Sequence, residues 1–165
     1  MKNAVASGVI VLLVFCLLKP QAVFSGYLYG TDSSTQMWKI DPTDGSKNLI
    51  SGLGFYVNGL TYNNDDGYLY GTDSSAQMWK IDPTDGSKSL ISCLGFYFNG
   101  LAYNNDDGYL YGADSGAQMW KIDPTNGNKS FISSLGYDFY GLAYVPEPTT
   151  LLLLGFGAMM FRKMD

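Results

Sequence analysis

The chain is dominated by a repeated unit of 41 residues. The first copy spans 26–66, the second spans 67–107, and a shortened third copy spans 108–144. The first two copies differ at only five positions, so they are expected to share one structure and to make the same contacts with their neighbours. A repeat architecture is therefore the strongest constraint on the fold.

Each unit has the pattern of four short β-strands. In the first copy these are expected at Tyr27–Thr31, Gln36–Ile40, Lys47–Ser51 and Gly59–Tyr62. In the second strand Trp38 and Ile40 are predicted to lie on one face, and Met37 and Lys39 on the other, because these residues alternate. The turns are predicted at 41–45, where Pro presets φ and Gly takes a positive φ, and at 63–67. The pattern predicts an all-β fold.

Four strands in about 40 residues is also the spacing of a β-propeller blade. The unit resembles the blades of NHL, YVTN and related propellers, through Gly59-Leu60-Thr61-Tyr62, Asp66-Gly67, Leu69-Tyr70 and the run 78–86. The resemblance implies that 59–62 is the innermost strand of a blade. The blades would then run 55–95 and 96–136, with 26–54 lacking an inner strand and 137–144 supplying an inner strand alone.

The number of blades does not determine how the chain assembles. Single-chain propellers typically have 4–8 blades, and this chain has material for three. There are three alternatives: an open array, a six-bladed ring of two chains that exchange their ends, or a fragment of a longer array. The open array is the preferred model for a monomer.

Composition excludes several functions. The repeats contain thirteen Asp and six Lys, and this negative charge argues against nucleic acid and anionic lipid as ligands. The chain contains no His, which excludes His-based triads and His-ligated metals. Cys93 is the only cysteine in the repeats, and its counterparts are Gly52 and Ser134, so no structural thiol is expected.

Two sets of repeated residues are candidates for binding. The loops 63–66 and 104–107, both Asn-Asn-Asp-Asp, could hold calcium, but they lack alternating acids, and a hairpin turn is favoured. Trp38, Trp79 and Trp120 could stack on sugars, but they alternate in phase with Ile, and packing between blades is favoured. No carboxylate pair stands out for hydrolase or lyase chemistry. No cofactor, metal or catalytic residue is predicted.

The N-terminal segment has the three-part pattern of a secretory signal peptide. A short positive start precedes an apolar run at 4–18, and Lys19-Pro20 ends that run. We predict a signal peptide at 1–25 that is helical in its apolar part, with cleavage between Ser25 and Gly26. The run is short for a transmembrane helix, which needs about 20 residues.

The C-terminal segment 145–165 has three parts. Val145-Pro146-Glu147-Pro148 is followed by an apolar segment at 149–161, and then by Arg162-Lys163. It resembles the PEP-CTERM sorting signal of exported proteins in Gram-negative bacteria. The resemblance implies that Val145, Pro146, Glu147 and Pro148 are recognised by an exosortase, and that the 149–161 helix spans the inner membrane until cleavage. Arg162 and Lys163 would be a cytoplasmic stop, as positive charges resist translocation.

Together these features predict an exported, non-catalytic protein of the cell surface or extracellular matrix, anchored in the inner membrane before processing. The expected partners are the Sec translocon, signal peptidase, an exosortase, extracellular polysaccharide and a second copy of the chain. Tails of this type are also labelled as ice-binding protein C-terminal domains. Ice binding requires a regular array of Thr, but the third repeat has Ala113 at the position of Thr31 and Thr72. A carbohydrate- or ice-associated binding module and a carboxylate-based hydrolase or lyase are the alternatives.

Overall fold

The structure, a computed structural model, describes residues 26–146, and this part of the chain is all-β, as predicted. Its eleven strands form three antiparallel sheets. The first sheet contains β1 (Leu28–Thr31), β2 (Gln36–Ile40) and β3 (Lys47–Gly52). The second contains β4 (Val57–Asn63), β5 (Tyr68–Asp73), β6 (Gln77–Ile81) and β7 (Lys88–Cys93). The third contains β8 (Phe98–Asn104), β9 (Tyr109–Asp114), β10 (Gln118–Ile122) and β11 (Lys129–Ser134).

The grouping of strands confirms the offset of the sheets from the repeat boundaries. The second and third sheets have four strands each, in the orders β4-β5-β6-β7 and β8-β9-β10-β11, whereas the first sheet is β1-β2-β3. Each blade therefore begins with an inner strand, β4 or β8, that the sequence places at the end of the preceding repeat. The predicted inner strand at 137–144 is not a strand, and none of the three sheets formed by residues 26–146 includes it. The predicted signal helix and tail helix lie outside the described residues.

The β2–β3 turn has the chemistry expected of Asp-Pro-Thr-Asp-Gly. The Asp41 carboxylate accepts hydrogen bonds from the backbone N–H and the hydroxyl of Thr43, at 2.8 and 2.5 Å. Gly45 donates its N–H to the Asp41 carbonyl at 2.9 Å and has a φ of 74°. Only Gly adopts this left-handed conformation without strain, so the predicted position of the turn glycine is confirmed.

The first sheet contains a β-bulge whose extra residue, Ile50, lies in β3, so β2 keeps its simple alternation. The pairing of β2 with β3 shifts register between Met37 and Trp38. Met37 is 0% exposed and belongs to the core, together with Leu53, Leu69 and Ile81. This agrees with the predicted alternation, in which Met37 lies on the face away from Trp38. Both faces of the sheet carry apolar residues because a blade packs against a neighbour on each side.

The hydrophobic core lies between consecutive sheets and not within any one of them. The first cluster joins Met37 and Leu53 of one unit to Leu69 and Ile81 of the next. The second cluster joins residues of the second blade to residues of the third, and its fully buried members include Met78, Leu94, Phe98, Leu110 and Ile122. A single blade thus buries little apolar surface, and each sheet depends on its neighbours for stability.

The inner strands of the second and third blades pack closely against each other. A side chain at Gly59 of β4 would lie 3.1 Å from Leu101 Cβ of β8. The buried Thr72 hydroxyl joins the same junction: its oxygen accepts the Gly59 N–H at 3.2 Å, and it donates to the Phe98 carbonyl at 3.0 Å. The blades are therefore joined both by close packing and by a buried hydrogen-bonded hydroxyl.

Gly59→Ala is expected to lower the free energy of unfolding by about 1–3 kcal/mol, because overpacking an inter-blade contact forces the neighbours to move. The added Cβ would lie 2.9 Å from Thr72 Oγ1 and 3.1 Å from Leu101 Cβ. Urea denaturation measures the change. The matched control is Gly52→Ala, where a Cβ would have nothing within 4 Å, and equal midpoint shifts for both variants would contradict the expectation.

Candidate functional site

The Asn-Asn-Asp-Asp loops are hairpin turns closed by their own side chains. The side-chain oxygen of Asn63 accepts the Asp65 N–H at 2.9 Å, and the Asp66 carboxylate accepts the Tyr68 N–H at 3.1 Å. Gly67 completes the turn with a φ of 77°. The favoured interpretation of these loops as turns is therefore confirmed.

The Asp66 carboxylate is also the centre of a small polar cluster. It accepts a hydrogen bond from the Tyr70 hydroxyl at 2.7 Å and lies 2.9 Å from Lys80 Nζ. Burial acts to raise the pKa of Asp66, but the hydrogen bonds from Lys80 and Tyr70 outweigh it, and the pKa is lowered. Lys80 Nζ also lies 4.1 Å from the centre of the Tyr68 ring, a cation–π distance. The carboxylate is held ionised as a structural group.

The same cluster recurs in the third blade. Asp107 lies 2.9 Å from Lys121 Nζ and accepts the Tyr111 hydroxyl at 2.7 Å. Within residues 26–146, no group of three or more Cys, Asp or Glu side chains is arranged to hold a metal ion. The carboxylates of these turns instead bind the protein's own amines and hydroxyls.

The indole rings are bound to carboxylates six residues earlier in the chain. Asp73 accepts the Trp79 Nε1–H at 2.8 Å with one oxygen. Its other oxygen accepts the backbone N–H groups of Ser75 and Gln77, at 2.8 and 2.9 Å. The same bonds form from Asp32 to Trp38 and from Asp114 to Trp120, both at 2.8 Å. This role of Asp was not predicted, although the six-residue spacing to Trp recurs in all three repeats.

Aromatic stacking covers two of the three indole rings. Phe55 stacks on Trp79 with ring centres 4.8 Å apart, and Phe96 stacks on Trp120 at 5.4 Å. Both Phe residues lie in the segment that crosses from one blade to the next. These contacts confirm the favoured interpretation of Trp79 and Trp120 as packing residues. Within the described range no aromatic ring stacks on Trp38, which instead has Lys47 Nζ 4.9 Å from its ring centre.

The end of the repeats is tied to the third blade. Leu142 packs against Gly100 of β8, where a Cβ would lie 3.0 Å from Leu142 Cγ. The Tyr144 hydroxyl donates a hydrogen bond to the Asp106 carboxylate in the β8–β9 turn. Val145 comes next and is 79% exposed. The chain therefore leaves the folded repeats at Val145.

Of the predicted sorting and cleavage residues, the described part of the chain contains Gly26, Val145 and Pro146, and Gly26 is exposed. The remaining ones lie outside the described residues: Ser25, Glu147, Pro148, Arg162 and Lys163. The predicted apolar segment 149–161 lies outside them too. From 26 to 146 the chain forms no helix with the length and apolar character that a membrane crossing requires.

A comparison with protein-family models identifies the segment after the repeats. Residues 145–163 match the model described as the PEP-CTERM protein-sorting motif. The chain carries a PEP-CTERM sorting motif. This confirms the resemblance found in the sequence. A PEP-CTERM motif indicates an exported protein that is membrane-anchored before an exosortase processes it.

The repeats resemble a solved structure in fold. A structural genomics protein of unknown function from Bacteroides thetaiotaomicron VPI-5482 superposes with a TM-score of 0.55 at 18% sequence identity. The match covers 67% of this chain but only 31% of that protein, so this chain corresponds to less than a third of its length. At this identity the likeness concerns the fold alone. A search of curated proteins gave no significant match.

The Tyr103 hydroxyl predicts a pH dependence that can be measured. It donates to the Asp65 carboxylate at 2.5 Å. Burial, together with that hydrogen bond and nearby carboxylates, raises the pKa of Tyr103 to about 12. In the folded state the Tyr103 hydroxyl thus keeps its proton at pH values above the ordinary tyrosine pKa of about 10. Its contribution to stability is full below about pH 10 and is lost as pH rises toward the folded-state pKa.

Tyr103→Phe is expected to lower the free energy of unfolding by about 1.5–3 kcal/mol at neutral pH, the cost of a lost hydrogen bond to a charged group. The difference from wild type should shrink at about pH 11.5, as measured by urea denaturation at each pH. Tyr62→Phe is the matched control, since Tyr62 has the same repeat position but is 48% exposed. A Tyr103 effect that is constant with pH would contradict this assignment.

Proposed function

We propose that the protein is exported, sorted by an exosortase, and released to the cell surface or the extracellular matrix. In this proposal residues 1–25 direct export through the Sec translocon, and signal peptidase cleaves between Ser25 and Gly26. The exosortase recognises Val145, Pro146, Glu147 and Pro148. Arg162 and Lys163 remain on the cytoplasmic side, because basic residues resist translocation.

The observation that carries the proposal is the position of the sorting motif relative to the folded repeats. The match begins at residue 145, one residue after Tyr144 is bound to Asp106. Val145 is 79% exposed and Pro146 is exposed as well. A processing enzyme could therefore reach the motif without unfolding the last blade. Proline at 146 cannot donate a backbone hydrogen bond and favours an extended chain.

The length of the apolar segment supports transient anchoring. Residues 149–161 would span about 20 Å as a helix, whereas the hydrocarbon core of a bilayer is about 30 Å thick. Such a mismatch has an energetic cost and weakens the anchor. A weak anchor is suited to a segment that is held in the membrane only until it is cleaved.

For the repeats we propose a structural or binding role without catalysis. Asp66, Asp73 and Asp107 each bond to groups within their own blade, so they are committed to the fold. The proposed partners are the exosortase, signal peptidase and the translocon, the inner membrane during sorting, and extracellular polysaccharide. A second copy of the chain is a further proposed partner.

One observation favours carbohydrate binding as a second candidate. Tyr56 and Tyr97 occupy the same position in successive crossing segments and are 55% and 51% exposed. Exposed aromatic rings at a regular spacing can stack on sugars. A glycan array probed with the wild-type chain should then show binding that falls about tenfold when both Tyr residues are changed to Ala. An equal signal from wild type and variant would contradict this candidate.

Glu147→Ala tests the sorting proposal. In cells that contain a matching exosortase, wild-type protein should lose its tail and appear outside the cell. The variant should be released about tenfold less, the effect of losing a charged contact worth about 1.5 kcal/mol. Cleavage is read as a mass change by immunoblotting, and release is read from the extracellular fraction.

Thr149→Ala is the matched control, because it changes a residue beside the motif and leaves Val145 to Pro148 intact. It should be processed as efficiently as wild type. A second control is a strain without exosortase, in which all three proteins should keep their tails. Retention of the wild-type tail in the presence of the enzyme, or normal release of Glu147→Ala, would overturn the proposal.

A further inference from the structure

The inner edge of β1 has no strand beside it, unlike the inner edges of β5 and β9. Within residues 26–146, β5 pairs with β4 and β9 pairs with β8, whereas β1 pairs with β2 alone. A groove with a volume of about 400 Å³ runs along this edge. Tyr27–Thr31 line one side of it, and Val57, Asn58 and Leu60–Tyr62 line the other. The groove therefore lies where the first blade lacks its inner strand.

The chain also contains an inner-strand segment that has no sheet. Gly141-Leu142-Ala143-Tyr144 is identical in sequence to Gly100-Leu101-Ala102-Tyr103 of β8. Leu142 packs on Gly100 much as Leu101 packs on Gly59. The segment thus occupies the inner position next to β8, yet it forms no strand in the described chain.

We propose that residues 139–144 of one copy pair with β1 of a second copy and complete its first blade. The register is taken from the two complete blades, in which Thr61 pairs with Tyr70 and Ala102 pairs with Tyr111. The corresponding pair between copies is Ala143 with Tyr29. Gly141 would face Thr31, as Gly59 faces Thr72 within the chain.

The crossing segments provide an independent set of matching contacts. At the junction of the first and second units, Lys88 Nζ donates to the Leu53 carbonyl at 2.6 Å, and Phe55 stacks on Trp79. The second junction repeats both contacts, with Lys129 donating to the Leu94 carbonyl and Phe96 stacking on Trp120. The inter-blade interface is thus built from the same pair of contacts each time.

The two ends of the chain each retain half of this interface. After the third blade, Leu135 and Tyr137 have the positions of Leu53 and Phe55, and Tyr137 is 80% exposed. In the first sheet, Trp38 and Lys47 have the positions of Trp79 and Lys88. In the pair of copies, Tyr137 of one chain covers Trp38 of the other, and Lys47 donates to the Leu135 carbonyl.

A second copy fits the groove better than the chain's own end does. β8 packs against β4 on one side and against residues 141–142 on the other, so the tail segment and the groove lie at opposite ends of the stack of inner strands. Two copies that exchange these segments would supply six complete blades, within the usual range of 4–8. Exchange in both directions also leaves no open inner edge for further association.

Cysteine cross-linking between full-length chains tests the pairing. Both native cysteines, Cys16 and Cys93, are first changed to Ser. One tagged chain then carries Tyr29→Cys, and a differently tagged chain carries Ala143→Cys. After co-expression and oxidation, a disulfide-linked product that contains both tags is expected on non-reducing gels. Its yield should exceed that of an unpaired control about tenfold, because a complex holds the thiols at millimolar effective concentration.

Two controls calibrate the result. Ala102→Cys with Tyr111→Cys in one chain has the same register within the third blade and should close as a disulfide of single-chain mass. Ser130→Cys replaces Ala143→Cys in the unpaired control. Ser130 lies on β11, and its counterpart Ser89 stays exposed although the next blade is present.

Three outcomes would overturn the proposal. The first is that no disulfide-linked product contains both tags, although the control pair Ala102→Cys and Tyr111→Cys forms its disulfide. The second is a single chain with Tyr29→Cys and Ala143→Cys that closes on itself, which would show that the chain completes its own blade. The third is a single-chain mass for the native protein in sedimentation, where twice that mass is expected. These measurements report assembly and not tail processing, so they are independent of the proposed sorting.

Discussion

The structure depends on the packing of each inner strand against the inner strand of the next blade. These contacts fix the position of each blade relative to its neighbour. Gly59 lets β8 approach β4 closely, and Gly100 lets Leu142 approach β8 in the same way. The Thr72 hydroxyl bonds to both inner strands at the first of these junctions. Because the core lies between sheets, every blade needs a neighbour on each side to bury its apolar residues. The repeats therefore act as one cooperative stack with two unlike ends.

The polar groups of each blade stabilise its hairpins. Asp73 orders a turn and holds Trp79 in the orientation that Phe55 then covers. Asp66 joins Lys80 and Tyr70 at the other end of the blade. These contacts use the acidic side chains that gave the sequence its negative charge. Function is then expected at the two ends of the stack and at the sorting motif, whose first residue, Val145, is exposed.

The same few residues connect assembly with sorting. Residues 139–144 form the inner segment that belongs to no sheet of the described chain, and the sorting motif begins at residue 145. If a second copy binds that segment, the motif emerges from the edge of a completed blade. Neighbouring residues would then take part in folding, in pairing with a second copy and in release from the membrane. Tyr144, which is bound to Asp106, is the last residue before the sorting motif.

Much of the fold was predictable from the sequence alone. The 41-residue period determined the strands and the turn glycines, because these depend on local alternation and turn chemistry. The offset of the blades followed from the resemblance to propeller blades. The sorting motif was readable for the same reason, as a short contiguous pattern. Only the tertiary structure decided that Met37 is fully buried, because its face of the first sheet packs against the second sheet. It also decided that Asp73 binds Trp79, and that β1 remains open, since both depend on which segments meet in space.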